Sequence, residues 1–339
     1  MKILVTGGAG YIGSHTCLAL LRSGYEVSVV DSLDNGSEEA LTRVQRLVNR
    51  TLAFNRCDVR DAQALGRVFD QFRPNAVIHF AGLKSVGESV AEPARYYDVN
   101  VGGTAKLLAA MENYGCENIV FSSSATVYGE PQFLPCDENH GLNPINPYGR
   151  TKLMGENLLE DWSRATQDRH AVALRYFNPV GADASGLIGE DPNGMPNNLM
   201  PFISQVAVGR RDCLQIFGDD YDTIDGTGVR DFIHVVDLAR AHVAAVEQID
   251  TLEPFEVINI GTGEGLSVLQ MLKEFERQSG KTVVYQICQR RRGDAPAVWA
   301  DTSKAIEKIG FKAIFGIAEM CKDTWRWQNA NPMGYSKDS

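Results

Sequence analysis

Positive charge is in short supply: 33 lysines and arginines stand against 43 aspartates and glutamates, a formal net charge of -10 over 339 residues. Nucleic acid and anionic membrane surfaces demand clustered basic side chains, so both are excluded as general partners, and an anionic small ligand has to be met by a few placed arginines. Long apolar runs are also missing. No window approaches 18 apolar residues, and Met1-Lys2-Ile3-Leu4-Val5 runs straight into glycines, too short a stretch for a secretion signal. The seven cysteines (Cys17, Cys57, Cys116, Cys136, Cys213, Cys288, Cys321) are odd in number and scattered, with no C-x-x-C pair and no histidine at zinc spacing. Reduced thiols in a cytoplasmic enzyme with no membrane segment and no metal are the expectation.

What the chain does have is alternation. Short apolar runs at Ile3 to Thr6, Val27 to Val30, Leu52 to Phe54, Ala76 to Ala81, Asn118 to Ser122 and Ala171 to Tyr176 are separated by stretches of helical character. Repeated βαβ units of this kind predict an α/β fold, a Rossmann-type doubly wound parallel sheet. From about residue 179 the texture turns to Gly, Pro, Asn and Asp, as in Asp191-Pro192-Asn193-Gly194. A boundary there divides a dinucleotide-binding domain (1–178) from a smaller α/β substrate-binding domain (179–339), with segments near 230–262 expected to pack back on the first. In the second half, a helix is expected from Asn197 to Val208, Asp237 as the cap of a helix through Glu247, a strand from Phe255 to Ile260, and a helix capped by Ser267 running to Gln278, with Gly280 just beyond.

Thr6-Gly7-Gly8-Ala9-Gly10-Tyr11-Ile12-Gly13 follows the first strand and opens a helix that ends near Gly24. The backbone has to turn tightly at Gly7, approach a pyrophosphate at Gly10 without a Cβ in the way, and pack helix on strand at Gly13, while the unpaired N–H groups of the helix start face the phosphates. Asp31 closes the second strand 18 residues past Gly13, where a carboxylate binds the ribose hydroxyls and repels a 2′-phosphate. That favours NAD over NADP. Asp58, near the end of the third strand, is expected either at the adenine or as a cap.

Pro147-Tyr148-Gly149-Arg150-Thr151-Lys152 sets Tyr and Lys four apart directly after a proline, which suits the first turn of a helix and puts both side chains on one face. The strand ending in Ser122-Ser123-Ser124 can present Ser124 to the same crevice at its carboxyl end. A tyrosine works as a base near neutrality only if its pKa falls from about 10 by about 3, equivalent to about 4 kcal/mol favouring the phenolate. Two cations, Lys152 and an oxidised nicotinamide, each about 6 Å away at an effective dielectric near 20, would contribute roughly 3 kcal/mol apiece. Tyr148 is therefore a credible base.

Further motifs add to these: His79-Phe80-Ala81-Gly82-Leu83-Lys84, Ser122 to Tyr128, Arg175-Tyr176-Phe177-Asn178-Pro179, Pro196-Asn197-Asn198-Leu199-Met200-Pro201, Gly228-Val229-Arg230-Asp231 and Arg291-Arg292-Gly293-Asp294. Over nearly its whole length the chain resembles the UDP-glucose 4-epimerases, an NAD-dependent family of extended short-chain dehydrogenases/reductases. The resemblance implies that Gly7, Gly10, Tyr11, Ile12, Gly13, Asp31, Ser32, Leu33, Asp34, Asn35, Gly36, Asp58, Val59, Phe80, Ala81, Gly82, Lys84, Ser122, Ser124, Tyr148, Lys152 and Phe177 line a bound NAD. It implies that Lys84, Ser124, Tyr148, Asn178, Asn198, Leu199, Gln215, Ile216, Phe217, Arg230, Arg291, Asp294 and Val298 hold a UDP-sugar. The reaction it implies is reversible oxidation of the sugar at C4 to a 4-keto intermediate, with NAD recycled in each turnover, in galactose metabolism. A homodimer is implied as well, with helices at about 93–113 and 148–165 as contact faces.

The chain departs from the family's pattern at two places. Val99 stands where many members have an Asn near the cofactor. Val298 stands where the substrate gate is often a Tyr, which would leave room for a 2-acetamido group and admit UDP-N-acetylglucosamine beside UDP-glucose. Among rival chemistries, a 4,6-dehydratase needs an acid and a base directly after the strand-end serine, and those places hold Ala125-Thr126. A plain dehydrogenase would release NADH, and a non-catalytic NAD-binding protein would be expected to have lost Tyr148 or Lys152. His15, His79, His140, His242 and the Trp325-Arg326-Trp327 segment read as structural.

Overall fold

The computed structural model describes residues 1–194, 196, 198–291 and 294–335. Seven strands, β1 (Lys2–Thr6), β2 (Glu26–Asp31), β3 (Ala53–Arg56), β4 (Ala76–His79), β5 (Asn118–Ser124), β6 (His170–Tyr176) and β7 (Phe255–Ile260), form one parallel sheet in the order β7-β6-β5-β4-β1-β2-β3. The Rossmann-type doubly wound sheet expected from the alternation is thus present. Its inner strands are largely covered on both faces and rich in apolar residues, as parallel strands are, while the edge strand β3 is partly exposed. Ile3, Leu4 and Val5 are wholly buried, and each contributes on the order of 2 kcal/mol by leaving water.

One face of the sheet is covered by α1 (Tyr11–Arg22), which packs on Val235–Gln248, and by Ser303–Ile309. The other face carries Ala62–Phe72, Gly103–Tyr114 and α2 (Pro147–Arg164). A separate core lies among the helices Leu199–Ala207, Val268–Ser279 and Ile317–Ala330, beside small sheets that include the parallel pair Leu214–Phe217 and Tyr285–Cys288. Among the described residues no helix is long and apolar enough to cross a membrane.

Local expectations meet the structure unevenly. Ser267 caps its helix in a full capping box with Gln270, and Gly280 ends it in the left-handed conformation. The fourth strand stops at His79, because Phe80 to Lys84 turn into the cleft described below. The cap of Val235–Gln248 is His234, whose Nδ1 accepts from the Val236 N–H, and not Asp237. Asp237 is instead fully buried in the first turn and accepts from the Ile314 and Phe315 N–H groups at 2.9 Å each. Asn197, the expected start of one helix, lies outside the described residues, and that helix runs Leu199–Ala207.

Candidate active site

Strand order reverses between β1 and β4, and loops leaving their carboxyl ends must diverge there, opening a crevice. Gly7 sits at its floor with φ +71 and donates its N–H to the Val30 carbonyl at 2.8 Å. A Cβ on Gly7 would lie 2.6 Å from the Ala81 nitrogen, so only glycine lets the two loops approach this closely. A Cβ on Gly13 would collide with the Gly7 carbonyl oxygen, whereas one on Gly10 would meet, among the described residues, only that same oxygen at 3.3 Å. The face of the turn at Gly10 is therefore open, toward the start of α1. At the end of β2, Asp31 accepts from the Ala9 and Leu33 N–H groups at 2.9 and 2.8 Å. Burial pushes its pKa up, and these bonds pull it back.

The cleft has a volume of about 560 Å³. Every residue expected around NAD lines it except Leu33, whose φ of 65 turns the side chain onto the apolar core. An open glycine floor, a helix start and an inward carboxylate fit a dinucleotide. Asp58 lies past the end of β3 and its carboxylate is engaged by Arg60, which holds its pKa down; the cap of the next helix is Asp61. Val99 also lines the cleft. It lies in a π-helical turn, Tyr97–Gly102, whose buried Asn100 accepts from the Leu83 N–H at 2.7 Å and donates to Thr151 on α2 at 2.9 Å.

Pro147 opens α2, and Asn146 caps it by accepting from the Gly149 N–H at 2.8 Å. That fixes Tyr148 and Lys152 on the face turned toward the end of β5. Lys152 Nζ donates to the Ser122 carbonyl at 2.7 Å and lies 5.9 Å from the centre of the Tyr148 ring. Ser124 Oγ accepts from the Thr126 N–H at 3.2 Å and from the Thr126 hydroxyl at 2.9 Å, which leaves its own proton free to point at Tyr148. Burial drives the Tyr148 pKa up to about 12, against the lowering effect of the Ser124 hydroxyl. Burial likewise lowers Lys152 to about 8, with Glu156 opposing. The lowering of the tyrosine pKa expected from the sequence is thus not reached by the protein's own groups, because desolvation outweighs the Ser124 hydroxyl. Behind the pair, Glu156 and Arg175 form a buried two-pronged ion pair, with distances of 2.9 and 2.6 Å, that also receives the Ser123 hydroxyl.

The glycine turn, the Asp31 carboxylate and the Tyr148-Lys152 face lie together at the carboxyl ends of the sheet strands, and the sequence model of the NAD dependent epimerase/dehydratase family matches residues 3–261. The chain belongs to that family. The UDP-glucose 4-epimerase of Bacillus subtilis (strain 168) is 55% identical over 335 residues, covering 99% of each chain, and that of Homo sapiens 53% over 341 residues, covering 98% of each. A crystal structure of UDP-glucose 4-epimerase from Bifidobacterium longum in complex with NAD+ and UDP superposes with a TM-score of 0.95 at 49% identity, covering 98% of this chain and 100% of that one.

In this member of the epimerase/dehydratase family, the residues expected to hold a UDP-sugar divide into two groups. Lys84, Ser124, Tyr148, Asn178 and Asn198 line the cleft itself. Gln215, Ile216, Phe217, Arg230 and Val298 lie beyond it on the small sheets, Arg291 and Asp294 beyond it in the segment between Tyr285–Cys288 and Ala297–Val298, and Leu199 at the start of its helix. Arg230 pairs with Asp294 at 2.7 Å, and Arg291 stacks over the Phe217 ring at 3.9 Å. Ile216 is buried in the second core, so only its backbone can reach a ligand. Arg292 and Gly293 lie outside the described residues. Val298 stands opposite Arg230 in the small sheet and packs among Val127, Tyr128, Cys136, Phe177 and Ala300. Sequence reasoning missed Glu190, which accepts from Lys84 at 3.2 Å and from Asn198 at 2.9 Å, and Tyr335 near the C-terminus, which lines the cleft. No local pattern announces either.

Proposed function

We propose that the protein interconverts UDP-galactose and UDP-glucose by reversible oxidation at C4, serving galactose metabolism. The observation that carries this reading is the convergence of Tyr148, Ser124 and Lys152 on one wall of a dinucleotide-sized cleft. NAD bound there supplies the acceptor and donor of the C4 hydride and, in its oxidised ring, a positive charge near Tyr148. Residues Gly7 to Gly13, Asp31 and Lys152 hold it. Tyr148 takes the proton from the C4 hydroxyl and returns it at the end, and Ser124 donates to the developing oxyanion. Lys152 favours the phenolate electrostatically. Arg230 and Arg291 anchor the diphosphate, so the loosely held 4-keto sugar can present its other face.

A dehydratase reading is disfavoured because Ala125 and Thr126, the two residues after Ser124, offer only a methyl group and a neutral hydroxyl already bonded to Ser124. Val298, smaller than a tyrosine, supports activity on UDP-N-acetylglucosamine as well. We read the chain as a dinucleotide-binding unit (1–178) and a UDP-sugar unit (179–339), with segments near 230–262 packing back on the first. Its seven unpaired cysteines favour the cytoplasm. The homodimer reading rests on the family resemblance and on exposed Val90 and Met154 beside and on the expected contact helices. The test is to incubate purified protein, without added cofactor, with UDP-galactose and separately with UDP-N-acetylgalactosamine, and to separate the C4 epimers. Conversion of the first supports the reading, and conversion of both supports the wider substrate range. No conversion even with NAD added would sink it.

A further inference from the structure

Residues 187–193 cross the cleft from one bank to the other. On the bank formed by the loop after β4, Glu190 pairs with Lys84 at 3.2 Å. On the bank formed by the loop after β2, the Asn193 N–H donates to Asn35 Oδ1 at 3.3 Å and its side-chain amide donates to the Asp34 carbonyl at 3.1 Å. The glycine turn and the start of α1 lie between those loops, because β1 stands between β4 and β2 in the sheet. A dinucleotide lying along the carboxyl ends of these strands therefore runs beneath this segment.

What holds the segment down comes from the C-terminal end of the chain. The Tyr335 hydroxyl accepts from the Gly189 N–H at 3.0 Å and donates to the Gly189 carbonyl at 3.2 Å, while the Tyr335 N–H donates to Asp191 Oδ2 at 2.7 Å. The Tyr335 ring packs against Trp327, with centroids 4.6 Å apart, and Trp327 donates from Nε1 to the Glu190 carbonyl at 3.3 Å. Gly189 is obligatory, since a Cβ there would run into the Trp327 indole. Arg43 stacks over both rings and donates to the Leu187 carbonyl at 3.1 Å.

We propose that Tyr335 is a cofactor-retaining residue: with Asn193 it clasps the 187–193 strap across the dinucleotide cleft, so that NAD leaves only when the strap peels away. The inference rests on the functional reading above and extends it to a C-terminal tyrosine outside the sheet. Its role is kinetic. Loss of the clasp speeds cofactor release and leaves the chemistry at Tyr148 intact.

The test uses the full-length protein loaded with NAD, passed over a desalting column and sampled over time for cofactor still bound. Tyr335→Ala, which removes both hydroxyl bonds to Gly189 and the ring contact, is expected to release NAD about tenfold faster or more, and Asn193→Ala, which removes the bond to the Asp34 carbonyl and keeps the backbone bond to Asn35, about threefold faster or more. Initial conversion of UDP-galactose by Asn193→Ala in saturating NAD should stay within about twofold of the parent. The two variants break the clasp at opposite ends, so a folding defect in one does not decide the result. Release at the parent rate from both variants would overturn the clasp alone. A parent protein that takes up no NAD would overturn the functional reading and the clasp with it.

Discussion

The Lys152 ammonium stands 5.9 Å from the centre of the Tyr148 ring, one helical turn away on α2. Burial lowers its pKa from 10.5 to about 8, so the cation is present below that pH and lost above it. Turnover is therefore expected to fall as pH rises through about 8. Lys152→Arg, whose guanidinium stays charged, should remove that limb even if its rate is lower throughout. A parent profile flat to pH 10 would contradict the assignment.

Tyr148→Phe removes the proton acceptor and little else. Turnover should drop by roughly 10²- to 10⁴-fold, the usual contribution of a positioned general base. NAD content after purification should be unchanged, and equal loss of both would point to a binding role instead.

Asp31 accepts two backbone N–H groups and turns the remainder of its carboxylate into the cleft. Asp31→Ser is expected to weaken NAD binding by about 10- to 100-fold, as for loss of charge-assisted hydrogen bonds. The ratio of NADP to NAD affinity should rise. Titration with both cofactors measures it, and an unchanged ratio would mean that Asp31 only shapes the loop.

Three buried histidines, His15, His79 and His242, have pKa values lowered by burial to about 4, 3 and 4. The unfolded chain takes up their protons near pH 6.5 while the folded chain does not, so stability is lost as pH falls from about 6.5 toward 4. Each site contributes at most about 1.4 kcal/mol per pH unit. His242 packs between Phe80 and Tyr176 and donates from Nδ1 to the Leu238 carbonyl. In His242→Leu, denaturant unfolding between pH 4 and 6.5 should show a shallower dependence by one site's share.

Val298→Tyr tests the substrate range. Conversion of UDP-N-acetylgalactosamine should fall by about tenfold or more while UDP-galactose conversion stays within about threefold, a difference of the size expected from shape alone in a pocket. Parallel loss of both activities would mean that the tyrosine only disturbs its packing on Tyr128 and Phe177.

Much of the architecture was legible because it is written in local periods. Apolar runs between helical stretches marked the sheet strands, although the run from Ala76 to Ala81 overshot by two residues because Phe80 and Ala81 are apolar yet turn into the cleft. Ser267 and Gly280 bracketed their helix by backbone chemistry alone. Asp237 misled because an acidic residue near a helix start looks like a cap whether it accepts from its own helix or from another segment.

By itself the sequence determined the glycine turn, the carboxylate at the end of β2 and the shared face of Tyr148 and Lys152, since each depends on spacing within a few turns or one βα unit. Only the tertiary structure decided that desolvation raises Tyr148 against the Ser124 hydroxyl and that Tyr335 grips Gly189 from 146 positions away. Those outcomes depend on burial and on contacts between distant segments. Chain spacing carries no signal for either, because the fold alone brings such groups together and strips the water from around them.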